Sequence, residues 1–388
     1  MRTSSYPQLS SFYFFYFAVL GVFVPYWPVY LKSLDFSAAQ IGELAAILMA
    51  SKLISPYFLS WFSDHIGKRL IIIQFSTIFS ILIFAGILQF QGFWWFVAVM
   101  AAFGFFWNAS LPLYEALTLN HTEGDSSRYS HVRLWGSIGF ILMVIALPGF
   151  IRGETIARLP EIILALLTAT AITTFLVKDM PFSSSSLRPV QLTNTLKNPI
   201  VVALLIACAF QSLSHGAYYT FFTIYLEDHG YSRHMAGWLW ALGVLAEVVL
   251  FVFMRVLLNW FSVYHLFVAA LFITSVRWVM LALWVDNLLI VLLGQLLHAA
   301  SFGLFHASAI YLTHRLFPGR LQGRGQALYA GMSFGLGGAL GHLMSGYSWE
   351  SMGSTWTFLA SAIIAFIGAI IAARYVTQER MPIYDRNI

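Results

Sequence analysis

An internal repeat constrains this chain more than any single motif does. At an offset of 195 residues, close to half of the total length of 388, the same residue types recur. Lys52 and Glu247 also occupy equivalent positions at this offset, each near the middle of an apolar run. The repeat therefore predicts two related halves that differ in the charges they bury. The repeated pairs are Gly21 and Gly216, Tyr30 and Tyr225, Leu31 and Leu226, Ser37 and Ser232, Gly42 and Gly237, Leu44 and Leu239, Ala46 and Ala241, and Gly136 and Gly331.

The composition excludes an ordinary soluble domain. Hydrophobic residues make up 59% of the chain and charged residues only 10%, whereas about a quarter of a typical soluble protein is charged. The single cysteine, Cys208, excludes internal disulfides and cysteine-rich metal sites. The net charge of +5 is spread over loops, so we attribute it to membrane topology. We expect a monomer in a lipid bilayer, with no metal, no cofactor and no nucleic-acid partner.

About twelve apolar segments are long enough to cross a membrane. The first follows Arg2, and no small-residue cleavage site comes after it, which predicts an uncleaved span rather than a signal peptide. The sequence predicts an all-α membrane protein with twelve transmembrane helices in two pseudo-symmetric six-helix bundles, residues 1–178 and 199–388, joined by a cytoplasmic linker at 179–198. The approximate spans are 9–31, 40–62, 70–90, 92–119, 130–151, 160–177, 199–226, 234–258, 263–284, 287–314, 325–348 and 353–375.

The basic residues predict the orientation in the membrane. An even number of spans places both termini on one side, and fourteen Lys and Arg residues fall on that side. Only four, Lys32, Arg152, Arg158 and Arg233, fall on the other. Because basic loops stay in the cytoplasm, we predict cytoplasmic termini in a bacterial inner membrane.

The loop between the second and third segments carries a recognisable motif. Asp64, Gly67, Lys68 and Arg69 match a loop motif of the major facilitator superfamily, although Ser60 stands where that family usually has glycine. With twelve spans and a repeat, this motif makes the chain resemble that superfamily. The resemblance implies a transporter of two bundles that works by alternating access, an architecture to which duplicated membrane bundles also point.

Residues in the first half resemble the lactose permease family. The Pro25-Tyr-Trp-Pro28 run, the Glu115-Ala pair and the Arg133-Leu-Trp-Gly136 run carry this resemblance. It implies that Glu115 and Arg133 match the acid–arginine pair that binds sugar hydroxyls in that family. Snorkelling of both side chains to the interface is the simpler alternative.

Residues in the second half resemble the phenylpropionate permease family, in the runs Leu245-Ala-Glu247-Val, Val276-Arg277-Trp278 and Gln295-Leu-Leu-His298. Both resemblances imply a proton symporter. They place His298 where lactose permease has a relay histidine, and Ser301 where it has the final proton-carrying glutamate. That glutamate's role is therefore not transferred, and coupling would rest on Glu247 or Glu115. A histidine that is hydrogen-bonded for structural reasons alone is the alternative for His298.

Three charged residues lie deep in apolar runs: Lys52, Glu247 and Arg277. Each costs about 3 kcal/mol at the centre of a bilayer on insertion scales, so each needs a partner or a wet cavity. Glu247 is the deepest carboxylate and our candidate proton carrier, with His298, Arg277 and Glu115 assisting. A purely structural ion pair of Glu247 with Lys52 or Arg277 is the alternative.

The predicted substrate is a small organic solute taken up with protons. Arg133 and Arg277 offer cations for a carboxylate, and aromatic residues suit a phenyl ring, so an aromatic acid such as 3-phenylpropionate is the first choice. An oligosaccharide or a nucleoside is the second. We assign Arg133, Glu115, Arg277, Lys52 and Trp135 to substrate binding, with His215 and His306 as further cavity candidates.

Two other classes of function fit the sequence less well. A receptor or scaffold without transport has no need of buried charges. An enzyme needs clustered catalytic groups, which the sequence lacks. The Gly331-Met-Ser333-Phe-Gly335 run fits a hydrolase nucleophile motif but lies in an apolar helix, where close helix packing explains it better.

Overall fold

The computed structural model describes residues 6–151, 153–179 and 193–377. Most of the predicted linker, and the predicted topology markers Arg2, Arg152, Arg188, Arg380 and Arg386, lie outside these residues. The regular elements that are described are all helical. In the described part of the chain, eleven segments are long and apolar enough to cross a membrane: α1 (Tyr6–Ser33), α2 (Ala38–Ile66), α3 (Arg69–Leu88), α4 (Phe93–His121), α5 (Ser127–Gly149), α6 (Thr155–Phe175), α7 (Pro199–Asp228), α8 (Arg233–Trp260), α9 (Val263–Trp284), α10 (Leu288–Leu316) and α11 (Gln322–Tyr375).

The last segment, α11, accounts for two crossings. Its 54 residues are far more than the roughly 20 that one crossing needs. Gly353 interrupts it with φ 82° and ψ 174°, which is not a helical conformation and which favours glycine. The prediction of an all-α protein with about twelve membrane-crossing helices is therefore confirmed.

Local chemistry explains several helix boundaries. Ser37 and Gln40 form a reciprocal capping box at the start of α2. Asn198 accepts a hydrogen bond from the backbone N–H of Ile200 at the start of α7, and Asn287 does the same for Leu289 at α10. These caps satisfy N–H groups that the first helical turn leaves without an intrahelical partner.

Among the described residues, 3₁₀ or π-helical turns lie in the interior of three spans. A short 3₁₀ segment, Ser51–Leu53, interrupts α2. In α10 a π-helical turn covers Ala299–Leu304, and in α11 another covers Gly331–Gly337. Such turns within helices frequently mark functional positions, and two of these three adjoin the candidate residues Lys52 and His298.

The chain forms two compact units. In the part that is described, the first unit combines α1 to α6 with Tyr218–Ala241, the end of α7 and the start of α8. The second combines α7 up to Ala217 with Leu242 and the residues that follow it. The predicted bundle boundary at 178 and 199 stays a prediction.

Glycines bring α1 and α5 together in the first unit. A Cβ at Gly139 would collide with the carbonyl oxygen of Phe14, and a Cβ at Gly21 would lie 2.6 Å from that of Phe140. Stacked aromatic rings fill the adjoining core, with centroids 3.6 Å apart for Phe12 and Tyr114. Small residues at both contact points allow this close approach of the two helices.

The segment Tyr218–Ala241 joins the first unit through packing and ion pairs. Lys32 Nζ lies 2.7 Å from Asp228 Oδ1. The guanidinium of Arg233 binds both carboxylate oxygens of Glu227, at 2.6 and 3.3 Å, and donates to the carbonyl of Ile151 at 2.9 Å. These contacts tie the segment Tyr218–Ala241 to the end of α1 and to the residue Ile151 that follows α5.

The second unit repeats the glycine-mediated packing with α7 and α11. A Cβ at Gly216 would collide with the backbone of Gly341, and one at Gly337 would collide with the carbonyl oxygen of Ala209. Gly21 and Gly216 are equivalent in the sequence repeat, so α1 and α7 use the same position for close packing. Apolar side chains such as Phe267, which is fully buried, complete the core of the unit.

Candidate functional site

A continuous chain of polar contacts links Glu247, His298 and Arg277 in the second unit. Glu247 Oε1 lies 2.7 Å from His298 Nε2, and the opposite ring nitrogen, Nδ1, lies 2.9 Å from Arg277 Nη1. Arg277 also donates to the carbonyl of Gly294 at 2.7 Å and to Ser301 Oγ at 3.1 Å. The three residues that the sequence singled out on α8, α9 and α10 thus converge at one place.

Donor counting fixes where the proton lies in this chain. A guanidinium has only N–H groups and accepts no hydrogen bond, so Nδ1 of His298 must be the acceptor. The neutral imidazole then carries its hydrogen on Nε2 and donates it to Glu247 Oε1. A second proton on His298 would require the contact with Arg277 to break.

Polar side chains from α7 and α9 support Arg277 and Ser301. Gln211 Nε2 donates to Thr274 Oγ1 at 2.8 Å and to the carbonyl of Ser301. Trp278 lies beside the guanidinium, with 4.5 Å from Arg277 Cζ to the ring centroid, and its indole N–H donates to Ser214 Oγ. Ser301 therefore gives Arg277 a neutral acceptor at the position where the lactose permease resemblance implies a glutamate.

Gly243 permits the contact between α8 and α10 that places Glu247 beside His298. A Cβ at this position would lie 3.1 Å from His298 Cδ2 and 3.3 Å from Gln295 Oε1. Both distances are tighter than ordinary van der Waals contacts, so a larger residue would displace the imidazole. Gly243 is one turn before Glu247 on α8 and acts as a positioning residue.

Glu115 and Arg133 form a second charged pair, in the first unit. Glu115 Oε1 lies 3.6 Å from Arg133 Nε, and both side chains are about one-third exposed. The guanidinium also lies over the ring of Phe17, 4.1 Å from the centroid. Because α4 ends later and α5 begins earlier than predicted, the pair lies roughly 9 Å inside the ends of its helices at 1.5 Å per residue.

The other two residues assigned to substrate binding lie apart from that pair. Trp135, 39% exposed, donates its indole N–H to Tyr6 Oη at 3.0 Å. Lys52 is half-buried in the 3₁₀ segment of α2 and, among the described residues, forms no hydrogen bond or ion pair. Their role in binding stays a prediction.

The loop motif forms a compact turn between α2 and α3. Gly67 ends α2 with φ 70°, in the left-handed region, and its N–H bonds the carbonyl of Ser63. Arg69 Nη2 lies 3.5 Å from Asp64 Oδ1, which closes the turn with an ion pair, while Lys68 is exposed.

Sequence reasoning identified the charged members of the site and missed several neutral ones. His215 contacts Trp278 in the second unit, and His306 Nδ1 lies 2.7 Å from the Tyr329 hydroxyl. Gln211 and Gly243 were missed. Gln211 carried one usable signal, because it is an isolated amide within an apolar run. Gly243 carried none, because glycine is frequent throughout these spans.

The fold and the family comparison define the class of protein. The model of the MFS_1 like family matches residues 6–360, and the chain belongs to this family. It is therefore a transporter of the major facilitator superfamily and not an enzyme. The resemblance predicted from the loop motif is confirmed.

Individual relatives cover nearly the whole chain. It is 29% identical to a probable 3-phenylpropionic acid transporter of Escherichia coli (strain K12), over 94% of this chain and 96% of the relative. It is 24% identical to a maltose permease of Geobacillus stearothermophilus, over 95% of this chain and 94% of the relative. Among solved structures, a variant of the nucleoside transporter NupG superposes with a TM-score of 0.86 at 16% identity, covering 96% of this chain and all of that one.

Proposed function

We propose that this protein is a proton symporter that takes up a small organic solute across a bacterial inner membrane, with both termini in the cytoplasm. The observation that carries the proposal is the buried chain of Glu247, His298 and Arg277. Buried ionisable residues in membrane spans are costly and characteristically serve ion or substrate pathways. The three residues form a site that can take up a single proton.

The contact geometry favours Glu247 as the proton carrier. A proton added to its carboxylate removes the negative charge that the Nε2–H of His298 faces. The neighbouring Arg277 cation then lacks a compensating charge, which destabilises this arrangement until substrate binding or proton release restores the balance. Proton binding and conformation are thereby coupled through three side chains.

The first-choice substrate is an aromatic carboxylate such as 3-phenylpropionate. The relative from Escherichia coli named for that acid supports this choice, and its match extends over both halves of this chain. A neutral oligosaccharide or a nucleoside is the second choice, supported by the maltose permease relative and by the Glu115–Arg133 pair.

Proteoliposomes that enclose a pH-sensitive dye test this proposal. Solutes from each class, 3-phenylpropionate, maltose and uridine, are added outside in turn. Acidification of the vesicle lumen with one solute, beyond that seen in protein-free vesicles, identifies a symporter and its substrate class. Uptake without any proton movement contradicts proton coupling. If no solute changes the pH although the protein is folded, the result favours a receptor or scaffold that does not transport.

A further inference from the structure

We infer that Lys52 is the residue that binds the carboxylate of the substrate, so that the transporter selects a singly charged organic anion. The inference rests on the proposed function and assigns its substrate class to one side chain. Three features support it: the depth of Lys52 in its span, the partners that the other two candidate cations already have, and the local structure of the helix break.

Lys52 lies too deep to reach the membrane surface. It is the middle residue of the 29-residue span Ala38–Ile66, so each end of the span is about 20 Å away along the helix axis. Lysine reaches an interface by extending its four-carbon stem, which is much shorter than that. Its ammonium therefore needs compensation within the membrane.

The other two candidate cations already have partners. Arg133 pairs with Glu115, and Arg277 donates to Gly294, His298 and Ser301 while His298 bridges it to Glu247. Lys52 has no acidic partner in the part of the chain that is described. Glu43, the acidic residue nearest to it on α2, lies nine residues earlier, about 13 Å along the axis.

The helix break around Lys52 is held by side chains rather than left loose. Asn108 on α4 donates to the carbonyl of Leu48 at 2.8 Å and to Ser51 Oγ at 2.7 Å. Ser51 Oγ itself donates to the same carbonyl. The backbone that carries Lys52 is thus fixed to a neighbouring helix, which presents the amine from a defined position. A fixed, half-buried cation without an acid is suited to an anionic ligand.

The charge balance distinguishes the two substrate classes. A monocarboxylate compensates the Lys52 ammonium, whereas sugar hydroxyls accept its hydrogen bonds but leave the positive charge in a medium of low dielectric. The charge balance therefore favours a monocarboxylate over a sugar or a nucleoside.

Binding to the purified full-length protein tests the assignment with a matched pair of ligands, 3-phenylpropionate and its neutral amide, 3-phenylpropanamide. We expect the wild type to prefer the acid, and Lys52→Gln to weaken acid binding by about 10- to 100-fold with little effect on the amide. Lys52→Arg should keep most of the preference. Lys178→Gln, which removes an exposed lysine outside the spans, should change neither affinity. An undiminished acid preference in Lys52→Gln overturns the inference.

A second measurement uses the wild-type protein and therefore tests the inference even if the Lys52 variants do not fold. In the wild type, acylation of Lys52 by an amine-reactive reagent is followed by mass spectrometry, with and without each ligand. Slower acylation with the acid but not with the amide supports the inference. Equal acylation rates despite proven binding of the acid overturn it and leave the proposed function intact. Transport of maltose or uridine, with no binding of the acid, overturns both the inference and the first-choice substrate.

Discussion

Under the proposed mechanism, coupling depends on His298, because its two ring nitrogens face groups of opposite charge. Nδ1 accepts from Arg277 and Nε2 donates to Glu247. Neither asparagine nor glutamine can place an acceptor at the first of these positions and a donor at the second with the rigidity of an imidazole. The ring holds an acid and a cation in a fixed relation, within a network that includes Ser301 and Gln211.

Glu247→Gln is the direct test of the proton carrier. Glutamine keeps the size of the side chain but cannot bind the transported proton, so uphill accumulation in energised vesicles should be abolished. Exchange of labelled for unlabelled substrate, which requires no net proton movement, should continue. Glu161→Gln serves as the matched control because Glu161 is exposed near the start of α6. Unchanged accumulation in Glu247→Gln would remove this residue from the coupling step.

The sequence predicted the charged residues of the site because charge is rare in membrane spans. Glu247 and Arg277 are isolated in apolar runs, where placing a charge at the centre of a bilayer costs roughly 3 kcal/mol, so each stands out in the sequence. Glycine and amides carry a smaller cost, and for that reason the sequence did not reveal the roles of Gly243 and Gln211. Which cation pairs with which acid depends on the packing of separate helices, and no local pattern specifies it.

Among the helices, close packing at glycine determines which spans touch. The α1–α5 contact and the α7–α11 contact are equivalent in the repeat. In each, a backbone carbonyl of one helix lies so close to a glycine of the other that a Cβ on that glycine would collide with it. Backbone approach of this kind is a main source of helix association where lipid and protein are equally apolar.

Gly139→Ala should destabilise the first unit. The added methyl group collides with the carbonyl oxygen of Phe14, and overpacking of this kind costs about 1–3 kcal/mol. Thermal unfolding of the purified protein should therefore begin at a lower temperature than in the wild type. Gly149→Ala, at the end of the same span, places its methyl group where nothing lies within 4 Å and should leave Tm unchanged. Equal Tm values for the two variants would argue against tight α1–α5 packing.

Helix positions were predictable to within a few residues, but the interruptions within them were not. The sixth span was predicted at 160–177 and is observed as Thr155–Phe175. Hydropathy locates a span because length and apolarity are local properties. The 3₁₀ segment at Ser51–Leu53 depends on Asn108, more than fifty residues away in the sequence, so the local pattern contains no signal for it.

For the molecule as a whole, we expect the ion pairs of Lys32 and Arg233 to control access to the first unit under the proposed alternating-access mechanism. Arg233 joins Glu227 of α7 to the carbonyl of Ile151. Gly237, close to it on α8, packs against the Val144 carbonyl in the same region. A partly buried bidentate pair contributes more than an exposed one, so Arg233 should matter more than Lys32.

Arg233→Gln should therefore make Val144 accessible from outside. In a Val144→Cys variant that also carries Cys208→Ser, an impermeant maleimide should label position 144 slowly, because Val144 is fully buried. Loss of the Arg233 contacts should raise the rate by about tenfold, the effect of losing a charged hydrogen bond. Arg158→Gln, an exposed substitution at the same predicted side, should have no effect. Equal labelling rates in the two variants would contradict a closing role for Arg233.

Positions 52 and 247 are equivalent in the sequence repeat but carry different residues, which is informative about how the protein evolved. A duplicated gene begins with the same residue at both positions, yet this chain now has a lysine in one copy and a glutamate in the other. In the proposed mechanism, Lys52 binds the solute and Glu247 binds the proton. Two identical copies could not divide these tasks, so under these assignments the division of labour followed the duplication. A relative that retains matching residues at both sites would be expected to transport without a proton.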